Sequence, residues 1–274
     1  MADPGRLSIN QATTRPQWTL AEAIDGYARH GVPGISVWRD KLAECGVEAA
    51  ARRLRDAGLT VTGLCRGGMF TAADEAGRRA ALDDNRRAVD EAAAIAARCL
   101  VLVVGGLAPG SKDLAGARAR VRDGLAALLP HARAAGMPLA IEPLHPMYAA
   151  DRACVNTMRQ ANDFCDALGT GIGIAVDVYH VWWDPALERE IRRAGRDRLL
   201  AFHVCDWLVP TTDLLLDRGM MGDGVIDIPR IRGWMEAAGY EGFCEVEIFS
   251  AGNWWKRDPD EVVRVCVERH RTAV

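Results

Sequence analysis

The stretch Gly171-Ile172-Gly173-Ile174-Ala175-Val176-Asp177 reads as a strand buried on both faces and closed by an acid. Side chains alternate along a strand, so Gly171, Gly173, Ala175 and Asp177 share one face. Ile172, Ile174 and Val176 share the other. Small residues suit the crowded interior of a closed barrel, and branched ones suit a layer covered by helices. The same alternation puts Leu199, Ala201 and His203 on one face of 199–205, and Phe243, Glu245 and Glu247 on one face of 243–249. Asp177, His203 and Glu247 then become the topmost inward residues of three strands.

Similar apolar runs occur along the whole chain. Strands are predicted at 6–12, 34–38, 60–66, 99–104, 138–142, 171–177, 199–205 and 243–249. Helical patterns fall between them at 20–30, 48–57, 74–97, 114–135, 157–168, 185–194, 228–238 and 260–272. Parallel neighbours need a crossover helix, so this strict alternation predicts an α/β fold, a single (β/α)8 TIM barrel spanning 1–274. Gly58, Gly136, Gly169 and Gly239 follow helical stretches, as left-handed helix ends require. An open doubly wound sheet would need a Gly-rich phosphate turn after its first strand, and none is visible.

Composition narrows the function classes. The chain has 274 residues, 49% apolar and 26% charged, with a net charge of −3. That balance offers no electrostatic footprint for nucleic acid or an anionic membrane. Met1-Ala2-Asp3-Pro4-Gly5 lacks the basic and apolar segments of a signal peptide, and no apolar run is long enough to span a bilayer. The eight cysteines show no CxxC pairing or framework spacing, so a reduced, cytoplasmic protein is expected.

Four apolar runs end in a metal-ligating type: Glu142 after Pro138-Leu139-Ala140-Ile141, then Asp177, His203 and Glu247. Each residue alone is ordinary, since a strand-end acid usually caps or faces solvent. As a set on four successive strands, three carboxylates and one imidazole match a hard or borderline divalent cation. One ion is expected, with Mn, Co, Mg and Zn all compatible. Glu245 points the same way as Glu247 but one layer deeper, which assigns it to orienting a ligand.

At these residues the chain resembles the xylose-isomerase-like barrel superfamily, the sugar phosphate isomerases and epimerases. The matching motifs are Ile141-Glu142-Pro143-Leu144-His145-Pro146, Asp177-Val178-Tyr179-His180, His203-Val204-Cys205-Asp206, Gly222-Asp223-Gly224-Val225-Ile226-Asp227 and Glu245-Val246-Glu247-Ile248-Phe249. The resemblance implies that Glu142, Asp177, His203 and Glu247 hold one metal. It also implies that Glu142 and Glu247 act as the acid/base pair, with His180 and Arg218 contacting substrate. Endonuclease relatives carry further histidines on earlier strands; here those ends read Cys65-Arg66-Gly67-Gly68 and Val104-Gly105-Gly106. The loop after Glu142 is longer than in the ketose epimerases and adds His145, Tyr148, Asp151 and Arg152.

The expected activity is isomerisation or epimerisation of a sugar, keto-sugar or cyclitol through an enediolate. A lyase or dehydratase on a keto-sugar or inosose uses the same intermediate and stays open. A ligand-binding barrel and an endonuclease-like hydrolase stand further back. Six tryptophans, Trp38, Trp182, Trp183, Trp207, Trp254 and Trp255, fall in rim segments. Their faces suit sugar C–H groups or, alternatively, helix and subunit contacts. Trp38, Trp183 and His145 join the candidate substrate contacts. Arg66 would meet a carboxylate or phosphate if it points inward, and is otherwise a surface residue. The expected partners are a sugar or polyol substrate and a second copy of the chain, as a homodimer or homotetramer.

Overall fold

Gly173 has no room for a side chain: a Cβ there would lie 2.5 Å from the Arg198 carbonyl oxygen and 2.7 Å from Leu200 Cγ. The computed structural model describes residues 2–274, and this close approach belongs to a closed parallel barrel. Its strands are β1 (Leu7–Asn10), β2 (Gly34–Trp38), β3 (Thr60–Gly68), β4 (Leu100–Val103), β5 (Leu139–Ile141), β6 (Ile172–Asp177) and β7 (Leu199–Val204). A short antiparallel pair, β8 (Asp206–Trp207) and β9 (Arg218–Gly219), precedes the last barrel strand, β10 (Cys244–Val246). The order around the barrel is β1-β10-β7-β6-β5-β4-β3-β2, so β5, β6, β7 and β10 are consecutive neighbours.

Helices fill the crossovers. They are α1 (Leu20–Arg29), α2 (Arg39–Cys45), α3 (Val47–Asp56), α4 (Glu75–Ala94), α5 (Leu114–Ala134), α6 (Met158–Leu168), α7 (Val178–Val181), α8 (Leu187–Arg198), α9 (Ile228–Ala237) and α10 (Pro259–Ala273). The crossover from β2 to β3 holds two helices where the sequence predicts one at 48–57. Leu42 is the only fully buried residue of α2, so that helix carries almost no apolar period. The sequence also predicts a helix ending at 194; α8 continues to Arg198 but is kinked at Gly195, whose φ is 62°. No described helix is long and apolar enough to cross a membrane.

Two apolar layers result. Cys65, Cys99, Val101, Ala140, Ala175 and Ala201 fill the barrel interior, while Ile172, Ile174, Val176 and the helix faces form the larger outer layer. One expectation is corrected here. Leu199 packs in the outer layer, and Leu200 turns toward the interior instead. The ladder between β6 and β7 slips, pairing Ile174 with Leu199 but Ala175 with Ala201. Such a slip reverses the side-chain phase, and Gly173 leaves the hole that Leu200 occupies. Above the slip the phase matches expectation, and Asp177 pairs with His203.

At the opposite end of the molecule, α10 buries His270, whose two ring nitrogens have no hydrogen-bond partner. Burial, reinforced by Arg232, pushes its pKa down to about 4 against a weaker pull from Asp3. The folded state therefore binds fewer protons than the unfolded chain between roughly pH 6.5 and pH 4. This group's stabilising share is complete above that window and is lost as pH falls through it. Chemical denaturation of wild type and His270→Gln should show the stability gap shifting by about 3 kcal/mol between pH 7 and pH 4. Parallel stability curves would rule this out.

Candidate active site

Four neighbouring strand ends bring the ligand-type residues together. Glu142 follows β5, and its backbone N–H donates to Leu102 O at 3.1 Å. Asp177 ends β6, accepting from the Tyr179 N–H at 2.8 Å and so starting α7. His203 lies near the end of β7 in register with Asp177 and Glu245. Glu247 follows β10, with its N–H donating to Val204 O at 3.1 Å. One donor atom from each of Glu142, Asp177, His203 and Glu247 lies within 4.8 Å of all the others, and all four residues are buried. Among the described residues this is the one cluster of its kind.

A second tier fixes the first. Asn10 Nδ2 donates to Glu245 Oε1 at 2.8 Å and to Glu247 Oε1 at 3.0 Å. Thr62 Oγ1 donates to Glu245 Oε2 at 2.7 Å. Asn10 is itself oriented, because its Oδ1 accepts from Trp38 Nε1 at 2.7 Å and from the Ala12 N–H at 2.9 Å. Arg218 Nη1 donates to Asp177 Oδ2 and Glu247 Oε2, both at 3.0 Å. The Arg218 guanidinium lies 4.4 Å from the ring centre of Tyr179 and 5.0 Å from that of Phe249. His203 Nδ1 faces Glu142 Oε1 at 3.1 Å, while Nε2 sits 3.4 Å from Glu245 Oε1 without an aligned hydrogen bond.

Burial and charge set the protonation of the cluster. Burial pushes the Glu247 pKa up, outweighing Arg218 and His203. Burial opposes ionisation of Asp177 too, but Arg218, His180 and His203 together hold its pKa below the usual carboxylate value. On His203, burial disfavours charge and is overcome by Glu245, Glu142 and Glu247, which raise its pKa strongly. His180 is pushed down to about 3 by burial, with Asp177 opposing, and is neutral.

These features fit a divalent cation. Glu142, Asp177, Glu245 and Glu247 are buried together, and Arg218 is the one permanent cation bonded among them. Proton demand on His203 expresses the remaining deficit of positive charge. Directing Nε2–H at Glu245 would free the Nδ1 lone pair for an ion, the usual carboxylate–histidine arrangement.

The quartet lies beneath a cavity of about 530 Å³, and Trp38, Arg66, Glu142, His180, Arg218 and Glu247 all line it. His145 and Trp183 do not. His145 Nδ1 accepts from the Met147 N–H at 3.2 Å, and its ring packs against Trp183 and Trp207. Both pack in the wall beside the cavity, with Trp183 Nε1 donating to His180 O at 2.8 Å. Trp38 presents its ring to the cavity, but its N–H is spent on Asn10 rather than offered to a hydroxyl. Asn10, Arg15 and Leu215 went unnoticed in the sequence. Asn10 had a signal, since it is a polar residue two positions before the predicted end of the first strand.

Residues 24–266 match the family of xylose isomerase-like TIM barrels. The chain belongs to this family. Among solved structures, protein SMc04130 from Sinorhizobium meliloti 1021 is 62% identical, with 99% of each chain covered and a TM-score of 0.97. The IOLI protein with a binding zinc atom is 19% identical over 97% of this chain and 96% of its own, with a TM-score of 0.84. A D-psicose 3-epimerase crystallised in the presence of D-fructose is 18% identical over 96% of each chain, with a TM-score of 0.78. The two distant likenesses show the shared fold. No curated protein sequence matches this chain. For this member of the xylose isomerase-like barrels, Glu245→Gln should weaken Mn²⁺ binding about 10–100-fold while preserving the folded circular dichroism spectrum. Unchanged affinity in a Mn²⁺ titration would remove Glu245 from any role in holding His203.

Proposed function

We propose that the chain is a divalent-metal-dependent isomerase or epimerase acting on a sugar, keto-sugar or cyclitol. One observation carries this reading: Glu142 and Glu247 stand on the outer members of four adjacent strands and flank Asp177 and His203 at the cavity floor. A divalent cation held by Glu142, Asp177, His203 and Glu247 would supply Lewis acidity toward a substrate carbonyl and its neighbouring hydroxyl.

The chain's own residues do the rest. Glu247 lines the cavity floor, and as a carboxylate there it can accept a proton from carbon. Asn10 and Arg218 hold one Glu247 oxygen each, so the carboxylate plane is fixed before substrate arrives. Glu142, reaching in from the far side of the quartet, can return a proton to the opposite face. Return to the same carbon gives an epimer, and return to its neighbour gives an isomer. Neutral His180, with Nδ1 unpartnered, can bond a substrate hydroxyl. The rings of Trp38 and Phe249 offer apolar faces for sugar C–H groups.

Chelation should abolish turnover of a ketose panel, with recovery on adding Mn²⁺, Co²⁺ or Mg²⁺. Reaction in deuterium oxide should place deuterium on the carbon beside the carbonyl. Glu247→Gln and Glu142→Gln should each lower turnover on the order of 10³-fold with the fold intact. Activity that survives chelation and both substitutions would defeat the proposal. Loss of water from the substrate would move it to a lyase on the same site.

A further inference from the structure

Arg66 is presented by an irregularity in the barrel wall. The ladder between β3 and β4 pairs Cys65 with Val101 and Gly67 with Leu102, leaving Arg66 as the extra residue of a bulge. Bulges re-aim side chains at barrel rims. The next two residues are clamped. Asn85 Oδ1 accepts from the Gly68 N–H at 2.6 Å, and Asn85 Nδ2 donates to Gly68 O at 2.8 Å. A Cβ on Gly67 would lie 2.5 Å from Asn85 Oδ1, and one on Gly68 would collide with the Val103 carbonyl. Glycines at 67 and 68 therefore let the chain hold Arg66 in a fixed place.

Arg152 reaches the same cavity from the loop after β5. That loop is docked on the barrel, with the Gly105 N–H donating to Arg152 O at 2.9 Å and the Arg152 N–H donating to Tyr148 O at 3.0 Å. Its guanidinium lies 5.2 Å from the Tyr148 ring centre. Its nearest acid, Asp151, is 3.8 Å away with a side chain 65% exposed.

The partners of these two arginines are what distinguish them. Arg218 is bonded to Asp177 and Glu247, Arg15 pairs with Asp40, and neighbouring Arg39 pairs with Asp84 and Glu91. Among the described residues, neither Arg66 nor Arg152 makes any side-chain hydrogen bond, and Arg66 has no carboxylate within 4.0 Å. Arg66 is half-buried, and burial followed by repulsion from Arg152 lowers its pKa. Two guanidinium groups with unused donors thus face one cavity whose polar floor already serves the quartet.

We propose that Arg66 and Arg152 form an oxyanion subsite that grips a carboxylate or phosphate of the substrate, on the solvent side of the quartet. This inference rests on the cavity being the substrate site of the proposed isomerase or epimerase. Guanidinium groups match both anions through paired N–H donors, and a partly desolvated setting strengthens the contact. The substrate class narrows to acidic or phosphorylated sugars and cyclitols.

Isothermal titration calorimetry of the protein as purified, with inorganic phosphate or malonate against chloride at equal ionic strength, tests it without turnover. At least one anion should bind wild type in preference to chloride and weaken about tenfold or more in Arg66→Met and in Arg152→Met. Exposed Arg159→Met should bind as wild type does. Preference for phosphate would identify a phosphorylated substrate, and preference for malonate a carboxylate. The two substitutions lie on separate elements and remove no hydrogen bond, so a folding defect in one leaves the other informative. Wild-type affinity in both variants, or no preference over chloride in wild type, overturns the subsite. A Mn²⁺ titration on the same samples keeps the two readings apart: lost metal binding with intact anion binding would count only against the metal-dependent function.

Discussion

Burying four carboxylates at one barrel mouth is the constraint around which this molecule is arranged. Each buried ion costs several kcal/mol to desolvate unless partners replace its water. Glu245 is answered by Asn10 and Thr62, Asp177 by Arg218 and the Tyr179 N–H, and Glu247 by Asn10 and Arg218. These bonds satisfy oxygens but supply only one fixed positive charge. His203 makes up part of the difference through its raised proton affinity. The donor set of such a site fits a compact cation, because the ion would supply the positive charge that the protein withholds.

The barrel makes such crowding possible. Parallel strands all end at the same rim, so four consecutive neighbours can contribute one side chain each without any long loop. Backbone bonds from Glu142 to Leu102 and from Glu247 to Val204 extend the ladder one residue past β5 and β10. The acids are thereby held as rigidly as the strands. Below them the interior is packed with small residues, Ala140, Ala175 and Ala201. Larger side chains there would compete with Glu245 for the space that lets it reach His203.

Much of this was legible in the chain itself. Period-two alternation in 171–177 separated the two faces, and acids or imidazole at four strand ends marked the site. What stayed hidden involved register and hydrogen-bond direction. Nothing in Leu199-Leu200-Ala201 announces which leucine turns inward; the slip against β6 and the hole at Gly173 decide it. Trp38 read as a ring face for sugar C–H groups, and its ring does line the cavity, but nothing in the sequence announced that its N–H is claimed by Asn10. His145 read as a candidate substrate contact in a loop, and the sequence held no sign that its ring packs beside Trp183 and Trp207. A helix as polar as α2 offers too little period to be seen at all.

The two charged regions of the cavity make opposite demands. A cation at the quartet would need an electronegative pocket, whereas an anion subsite would need unneutralised guanidinium groups. Placing both in one low-dielectric space would cancel each if they touched. The fold separates them by strand: the acids come from β5, β6, β7 and β10, while Arg66 comes from β3 and Arg152 from the loop above β4 and β5. Arg218 marks the boundary, since it lines the cavity while its Nη1 is bound to Asp177 and Glu247 and its Nε has no partner. A substrate with a carbonyl at one end and an anion at the other would feel opposite fields along the cavity. It would enter in a single orientation, presenting its reacting carbon between Glu142 and Glu247. Reaction type would then be fixed by the barrel ends, and substrate choice by the bulge and the loop.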